Sequence, residues 1–205
     1  MFQWIQDIFA RLKTGGVRVD KPDQVVIQPP KKSRTRGEII DALIRVAEKF
    51  VGEKETKGKN RSPLIDQIIT DQNGTLGSPY CMYGMQHVIK LTCEYMGLKN
   101  PMPKGGGTQS VWAKIPWLYK SKTEPLKGDL IFFQSRGDKS RGHVGLVTEV
   151  LPNGKLLCVE WNTNAKGVRD GDGVWTKERS LKGNATLAVL GFADIATMIL
   201  DANEG

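Results

Sequence analysis

The chain has 205 residues, of which 39% are hydrophobic and 25% charged, a composition typical of a globular protein and not of a disordered or fibrous one. Its formal net charge of +8 favours an anionic partner or surface. No uncharged apolar run reaches the roughly 18 residues that a membrane-spanning helix needs, which argues against an integral membrane protein.

The first 36 residues differ in character from the rest. Apolar residues recur there at helical spacing and predict a short amphipathic helix: Phe2, Ile5, Ile8, Phe9 and Leu12. It could pack on the main domain or dock to a membrane surface or a partner. Prolines and basic residues follow, so residues 17–36 are predicted to be a linker and residues 37–205 a single domain. The amino-terminal stretch lacks a small-residue cleavage site, so we expect no secretory signal and synthesis in the cytoplasm.

Helices are predicted to dominate the first half of the domain. Apolar periodicity indicates one helix from Glu38 to Gly52, and Pro63 opens a second. Ser78-Pro79 predicts the start of a third helix, with Ser78 as its N-cap, that runs to about Met96. A short aromatic helix is expected over residues 112–119.

Strands are predicted to follow the helices. Four apolar or alternating runs are separated by turn residues: Asp129–Phe133, His143–Val150, Lys155–Trp161 and Leu187–Ile195. Pro152-Asn153-Gly154 indicates a hairpin between the second and third runs. We therefore predict an α+β fold in which amino-terminal helices pack on an antiparallel sheet.

The number and positions of the cysteines and histidines limit the kinds of site that the chain can form. Three cysteines are too few and too scattered for a disulfide framework, and two histidines give no spacing that resembles a zinc site, so we expect no metal and no cofactor. Cys81 lies near a predicted helix start, where unpaired N–H groups and the helix dipole stabilise a thiolate. Cys93, within the same helix, and Cys158, within a strand, are predicted to be inert packing residues.

A thiolate hydrolase also needs a base. His87 follows Cys81 by six positions and points about 120° away from it on the helix, so we expect a surface or packing role. His143, at the start of a strand, is the remaining candidate. Glu160 and Asn162 share one face of the next strand, and either could reach the imidazole.

Four segments resemble, in order, the motifs of CHAP domains, the cysteine- and histidine-dependent amidohydrolases/peptidases of bacterial wall turnover and phage lysis. The segments are Ser78-Pro79-Tyr80-Cys81, Gly128–Phe133, Gly142–Gly145 and Val159–Thr163. The resemblance implies a papain-like fold over a catalytic domain at residues 37–205. It also implies roles for four residues: Cys81 as nucleophile, His143 as general base and then acid, Glu160 as the residue that orients the imidazole, and Asn162 as the residue that completes the polar site.

The resemblance further implies peptidoglycan as the substrate and a phage-type lytic enzyme that cuts an amide of the wall peptide. The stretch Asp71–Gly74 has too few carboxylates for the calcium loop of some relatives. Trp112, Trp117 and Trp161 could line the substrate groove, with core packing as the alternative. We expect a monomer whose basic residues 1–36 are attracted to an anionic wall or membrane surface.

Two other functions are considered. A catalytically silent CHAP-like module could serve as a wall-binding or virion component, but the four-residue set argues against it. Nucleic-acid binding has only the basic charge in its favour, because no recognised nucleic-acid motif accompanies it.

Overall fold

The structure, a computed structural model, describes residues 34–164 and 169–204. The predicted amphipathic helix and nearly all of the predicted linker lie outside the described residues. Among the helices that the structure describes, none has the length and apolar character needed to cross a membrane.

Five α-helices are described, in this order: α1 (Arg36–Glu48), α2 (Pro63–Asp71), α3 (Cys81–Met96), α4 (Thr108–Lys114) and α5 (Ile195–Asp201). A 3-10 turn, Trp117–Tyr119, follows α4. The amino-terminal ends of α1 and α2 are closed by side chains, since Thr35 forms a capping box with Glu38 and Ser62 accepts a hydrogen bond from the Ile65 amide.

The strands form one antiparallel sheet. They are β1 (Lys120–Ser121), β2 (Leu130–Ser135), β3 (Gly142–Val150), β4 (Lys155–Thr163), β5 (Arg169–Ser180) and β6 (Leu187–Ala193). Their order across the sheet is β1-β6-β2-β3-β4-β5. The predicted α+β class, with helices preceding an antiparallel sheet, is confirmed.

Helices α1 and α3 pack on each other, and α3 also packs on β3 and β4. The apolar face predicted for α1 is buried, and its Ile39 and Leu43 side chains are fully enclosed. A further cluster of buried side chains lies among the strands and includes Ile131, Phe133 and Phe192. The core therefore fixes α3 against β3 and β4, the strands that carry the candidate site.

The structure corrects several predicted boundaries. Helix α3 begins at Cys81 and not at Pro79, and its N-cap residue is Tyr80 and not Ser78. The Tyr80 side chain is buried. The run predicted as one strand over Leu187–Ile195 ends at Ala193, because Asp194 accepts a hydrogen bond from the Thr197 amide and caps α5. The predicted aromatic helix is divided between α4 and the 3-10 turn.

Candidate active site

Cys81 is the first residue of α3, and its side chain is only 4% exposed. At this position its backbone N–H has no acceptor within the helix. Gly84, one turn later, allows α3 to approach β4 closely, because a Cβ atom at this position would lie 2.3 Å from the Trp161 ring. This close packing places the start of α3 beside β4.

His143, on β3, is fully buried, and its Nε2 lies 2.8 Å from Oε2 of Glu160 on β4. Glu160 on β4 pairs in register with Gly145 on β3, two residues after His143. The Glu160 side chain therefore passes over Gly145 to reach the imidazole on the same face of the sheet. A Cβ atom at Gly145 would lie 2.7 Å from Cγ of Glu160. Of the two candidates for contact with the ring, Glu160 is therefore the one that bonds it, and Gly145 leaves the space that this bond needs.

The other ring nitrogen of His143, Nδ1, is buried and makes no hydrogen bond of regular geometry among the described residues. The Cys81 thiol nevertheless acts on the protonation of the ring. Burial alone would lower the pKa of His143, but the Glu160 carboxylate and the Cys81 thiol raise it to about 9. The imidazole is therefore protonated at neutral pH, the state that can donate a proton to a leaving amine.

Arg179, on β5, was not identified from the sequence. It is buried, its Nε donates a 2.6 Å hydrogen bond to Oε1 of Glu160, and its Nη2 donates to Oε2. Burial alone would raise the pKa of Glu160, but its bonds to Arg179 and His143 lower the pKa to about 2. Glu160 therefore remains a carboxylate at the base of the site.

Asn162 lies at a bulge of β4 and has a left-handed backbone conformation, with φ of 56°. In the amide orientation that satisfies its neighbours, its nitrogen donates to Asn60 Oδ1 at 3.1 Å and to the Gly171 carbonyl at 3.2 Å. Its oxygen accepts from the Tyr80 amide at 3.3 Å. Asn162 therefore holds the segment that leads into Cys81, and these bonds run to groups other than the His143 ring.

The tryptophans differ in their surroundings. Trp161 is fully buried, and its ring centroid lies 4.9 Å from that of Phe50, so the structure favours core packing, the alternative to a place in the substrate groove. Trp112 is half-buried against Phe132, with the Lys120 ammonium 4.7 Å from its ring centroid, and its role in substrate binding stays a prediction. Trp117 is 84% exposed.

The remaining histidine and cysteines are packing residues. His87 lies edge-on to Phe50, and burial lowers its pKa to about 4, so it is neutral at physiological pH. Burial raises the pKa of Cys93 to about 12 and also raises that of Cys158. Both thiols remain protonated at neutral pH, which leaves Cys81 as the candidate nucleophile. In the described parts of the chain, no three His, Cys, Asp or Glu side chains come together as a metal site.

Comparison with known protein families gives a match. Residues 72–162, less than half of the chain, match the family model of the CHAP domain, and this segment contains Cys81, His143, Glu160 and Asn162. Neither curated proteins nor solved structures gave a match. CHAP domains are papain-like and are generally hydrolases that act on peptidoglycan, so the match agrees with the observed fold and suggests peptidoglycan amidase or peptidase activity.

Proposed function

We propose that this protein is a peptidoglycan hydrolase that cleaves an amide bond of the wall peptide by a thiol mechanism, with Cys81 as the nucleophile. The observation that carries the proposal is the buried arrangement of His143 between the Cys81 thiol and the Glu160 carboxylate, inside the segment that matches the CHAP domain. The scissile bond is either within the wall peptide, for an endopeptidase, or the N-acetylmuramoyl–L-alanine bond, for an amidase.

The first half of the reaction forms a thioester. The Cys81 thiolate attacks the carbonyl carbon, and the negative charge that develops on the carbonyl oxygen accepts a hydrogen bond from the Cys81 backbone N–H. The protonated His143 then donates its Nδ1 proton to the amide nitrogen, the C–N bond breaks and the amine leaves. Glu160 remains ionised and holds the ring through Nε2, so that Nδ1 faces the reacting atoms.

The second half regenerates the enzyme. Water attacks the thioester carbonyl while neutral His143 takes one of its protons at Nδ1, and the C–S bond breaks to release a carboxylic acid and the Cys81 thiolate. His143 ends as the imidazolium with which it began. No cofactor enters this balance of atoms and charges.

The biological setting is part of the proposal. We propose phage-type host lysis or wall penetration by an enzyme made in the cytoplasm, which reaches the wall through a separate pore or as part of a virion. The basic residues 1–36 would precede the catalytic domain and strengthen attraction to an anionic wall or membrane surface. A chain without residues 1–33 should then bind walls more weakly at low salt and equally at high salt.

The proposal is tested by digesting isolated peptidoglycan with the wild-type protein and with Cys81→Ala, and by identifying the released fragments by mass spectrometry. Fragments that appear only with the wild type would support the thiol mechanism, and their new ends would distinguish an endopeptidase from an amidase. Equal release by Cys81→Ala would contradict it. No release by either protein, on walls of several chemotypes, would favour the silent CHAP-like binding module.

A further inference from the structure

The backbone of Tyr80, the residue that precedes Cys81, is held from both sides. Its N–H donates to Asn162, and its carbonyl accepts a 2.8 Å hydrogen bond from the Gly84 amide. The side chain is buried, and its hydroxyl lies 3.3 Å from Oε1 of Glu55. Because these bonds fix the dihedral angles of Tyr80, they also fix the plane of the peptide that carries the Cys81 N–H.

Asn60 links these bonds to the loop between α1 and α2. Its Oδ1 accepts from Asn162, its Nδ2 donates to the Gly77 carbonyl at 3.0 Å, and its backbone N–H donates to Glu55 Oε2 at 2.9 Å. One residue therefore contacts the loop, the approach to α3 and the bulge of β4. We call Asn60, Asn162, Glu55 and Tyr80 the clamp.

Left-handed backbone conformations are concentrated at the clamp and at the residue before Asn60. Among the described residues, four non-glycine residues have positive φ, and three of them are Lys59, Asn60 and Asn162. A left-handed conformation costs energy for a residue with a side chain, and such residues cluster where a local geometry must be held. The side-chain amides of Asn60 and Asn162 bond to each other, and both residues have a left-handed backbone conformation.

We infer that Asn60 is a positioning residue of the proposed reaction, one that aims the Cys81 N–H at the developing oxyanion by way of Asn162 and Tyr80. This inference rests on the proposed function and adds to it a role for a residue outside the four motif positions. The clamp acts on the peptide before Cys81, whereas Glu160 and Arg179 act on the imidazole from β4 and β5. The clamp is thus assigned to aiming the oxyanion donor, whereas Glu160 and Arg179 are assigned to forming the thiolate–imidazolium pair.

Because these two roles belong to different residues, the inference can be tested by measuring peptidoglycan hydrolysis and the alkylation of Cys81 in the same variants. Asn60→Gly removes the clamp amide but tolerates the left-handed backbone, so the protein should stay folded, with a thermal midpoint only a few degrees below that of the wild type. Peptidoglycan hydrolysis should fall about tenfold or more, since a misplaced oxyanion donor weakens the transition state. The rate at which iodoacetamide alkylates Cys81 should stay within about twofold of the wild type, because alkylation needs the thiolate and no oxyanion donor.

Two further variants complete the experiment. Lys59→Gly relieves the same kind of strain at the neighbouring position without removing the clamp amide, and it should hydrolyse peptidoglycan at the wild-type rate. Asn60→Asp keeps the acceptor for Asn162 but loses the donor to the Gly77 carbonyl, so its rate of hydrolysis should lie between those of Asn60→Gly and the wild type. Unchanged hydrolysis by Asn60→Gly, or equal losses of hydrolysis and alkylation, would overturn the inference. Retained hydrolysis by Cys81→Ala would instead overturn the proposed function.

Discussion

The carboxylate of Glu160 and the guanidinium of Arg179 form a buried ion pair across neighbouring strands, with Arg179 Nε donating to Glu160 Oε1 at 2.6 Å. The same carboxylate bonds His143 on its other side. Because Glu160 has no exposed surface, its charge depends on these two partners. Arg179 therefore keeps ionised the group that holds the imidazole.

Removal of the Arg179 side chain should lower both the free energy of unfolding and the rate of hydrolysis. Among the described residues, Arg179→Met leaves the buried Glu160 carboxylate with only His143 as a partner. We expect the free energy of unfolding to fall by about 3–5 kcal/mol in urea titrations, together with loss of hydrolysis. Lys155→Met is the matched control, because it breaks a half-exposed pair with Glu178 and should cost less than about 1 kcal/mol. Equal costs for the two variants would contradict the role given to Arg179.

The protonation of His143 sets an upper pH limit on activity. Its pKa is raised from the ordinary 6.5 to about 9, so the imidazolium that protonates the leaving amine is lost as pH rises through 9. The raised pKa of His143 also contributes to the stability of the folded protein. This contribution is complete below about pH 6.5 and is lost as pH rises towards 9. The pH profile of hydrolysis should therefore fall on its alkaline side near pH 9, and Glu160→Gln should move this fall to lower pH. If the activity of Glu160→Gln fell at the same alkaline pH as that of the wild type, the assignment of this limit to His143 would be contradicted.

Gly145 should tolerate no side chain. A methyl group in Gly145→Ala would meet Cγ of Glu160, displace the carboxylate from the imidazole and lower the rate of hydrolysis by about tenfold or more. Gly137→Ala provides the control, because a Cβ atom there has nothing within 4 Å and the rate should not change. Full activity of Gly145→Ala would show that Glu160 does not need this space.

Trp161 should affect stability and not substrate binding. Its ring is fully buried against Phe50 and α3, so Trp161→Ala should lower the free energy of unfolding by about 3–5 kcal/mol. Trp117→Ala removes a ring that is 84% exposed and should change stability by no more than about 0.5 kcal/mol. Thermal melts of the two variants check this contrast, and a small loss for Trp161→Ala would contradict the burial.

Motif order and strand periodicity were sufficient to predict the fold class, and they led to Cys81, His143, Glu160 and Asn162 as candidate site residues. The choice between Glu160 and Asn162 could not be made, because residues two apart on a strand share a face and their contacts depend on the partner strand and on bulges. The bulge at Asn162 turns its amide towards Tyr80 and Asn60. Chain order carries no signal for such a bulge.

Arg179 was missed for a different reason. Strand β5 contains Gly and charged residues in place of an apolar alternation, so it was not predicted as a strand. An arginine in such a segment resembles a solvated surface residue, and its burial becomes evident only when β5 is paired with β4. The Ser78 N-cap failed because a Ser-Pro signal marks a chain turn as well as a helix start, and here α3 begins three residues later.

The central claim is that Cys81 is the thiolate nucleophile of peptidoglycan hydrolysis. The most direct test treats the folded wild-type protein with iodoacetamide at neutral pH, maps alkylation at each cysteine by mass spectrometry and measures hydrolysis in the same samples. We predict that Cys81 is alkylated first and that activity falls in proportion, while Cys93 and Cys158 remain unmodified because burial raises their pKa. Full activity after complete alkylation of Cys81, or equally slow alkylation of all three thiols, would contradict the claim.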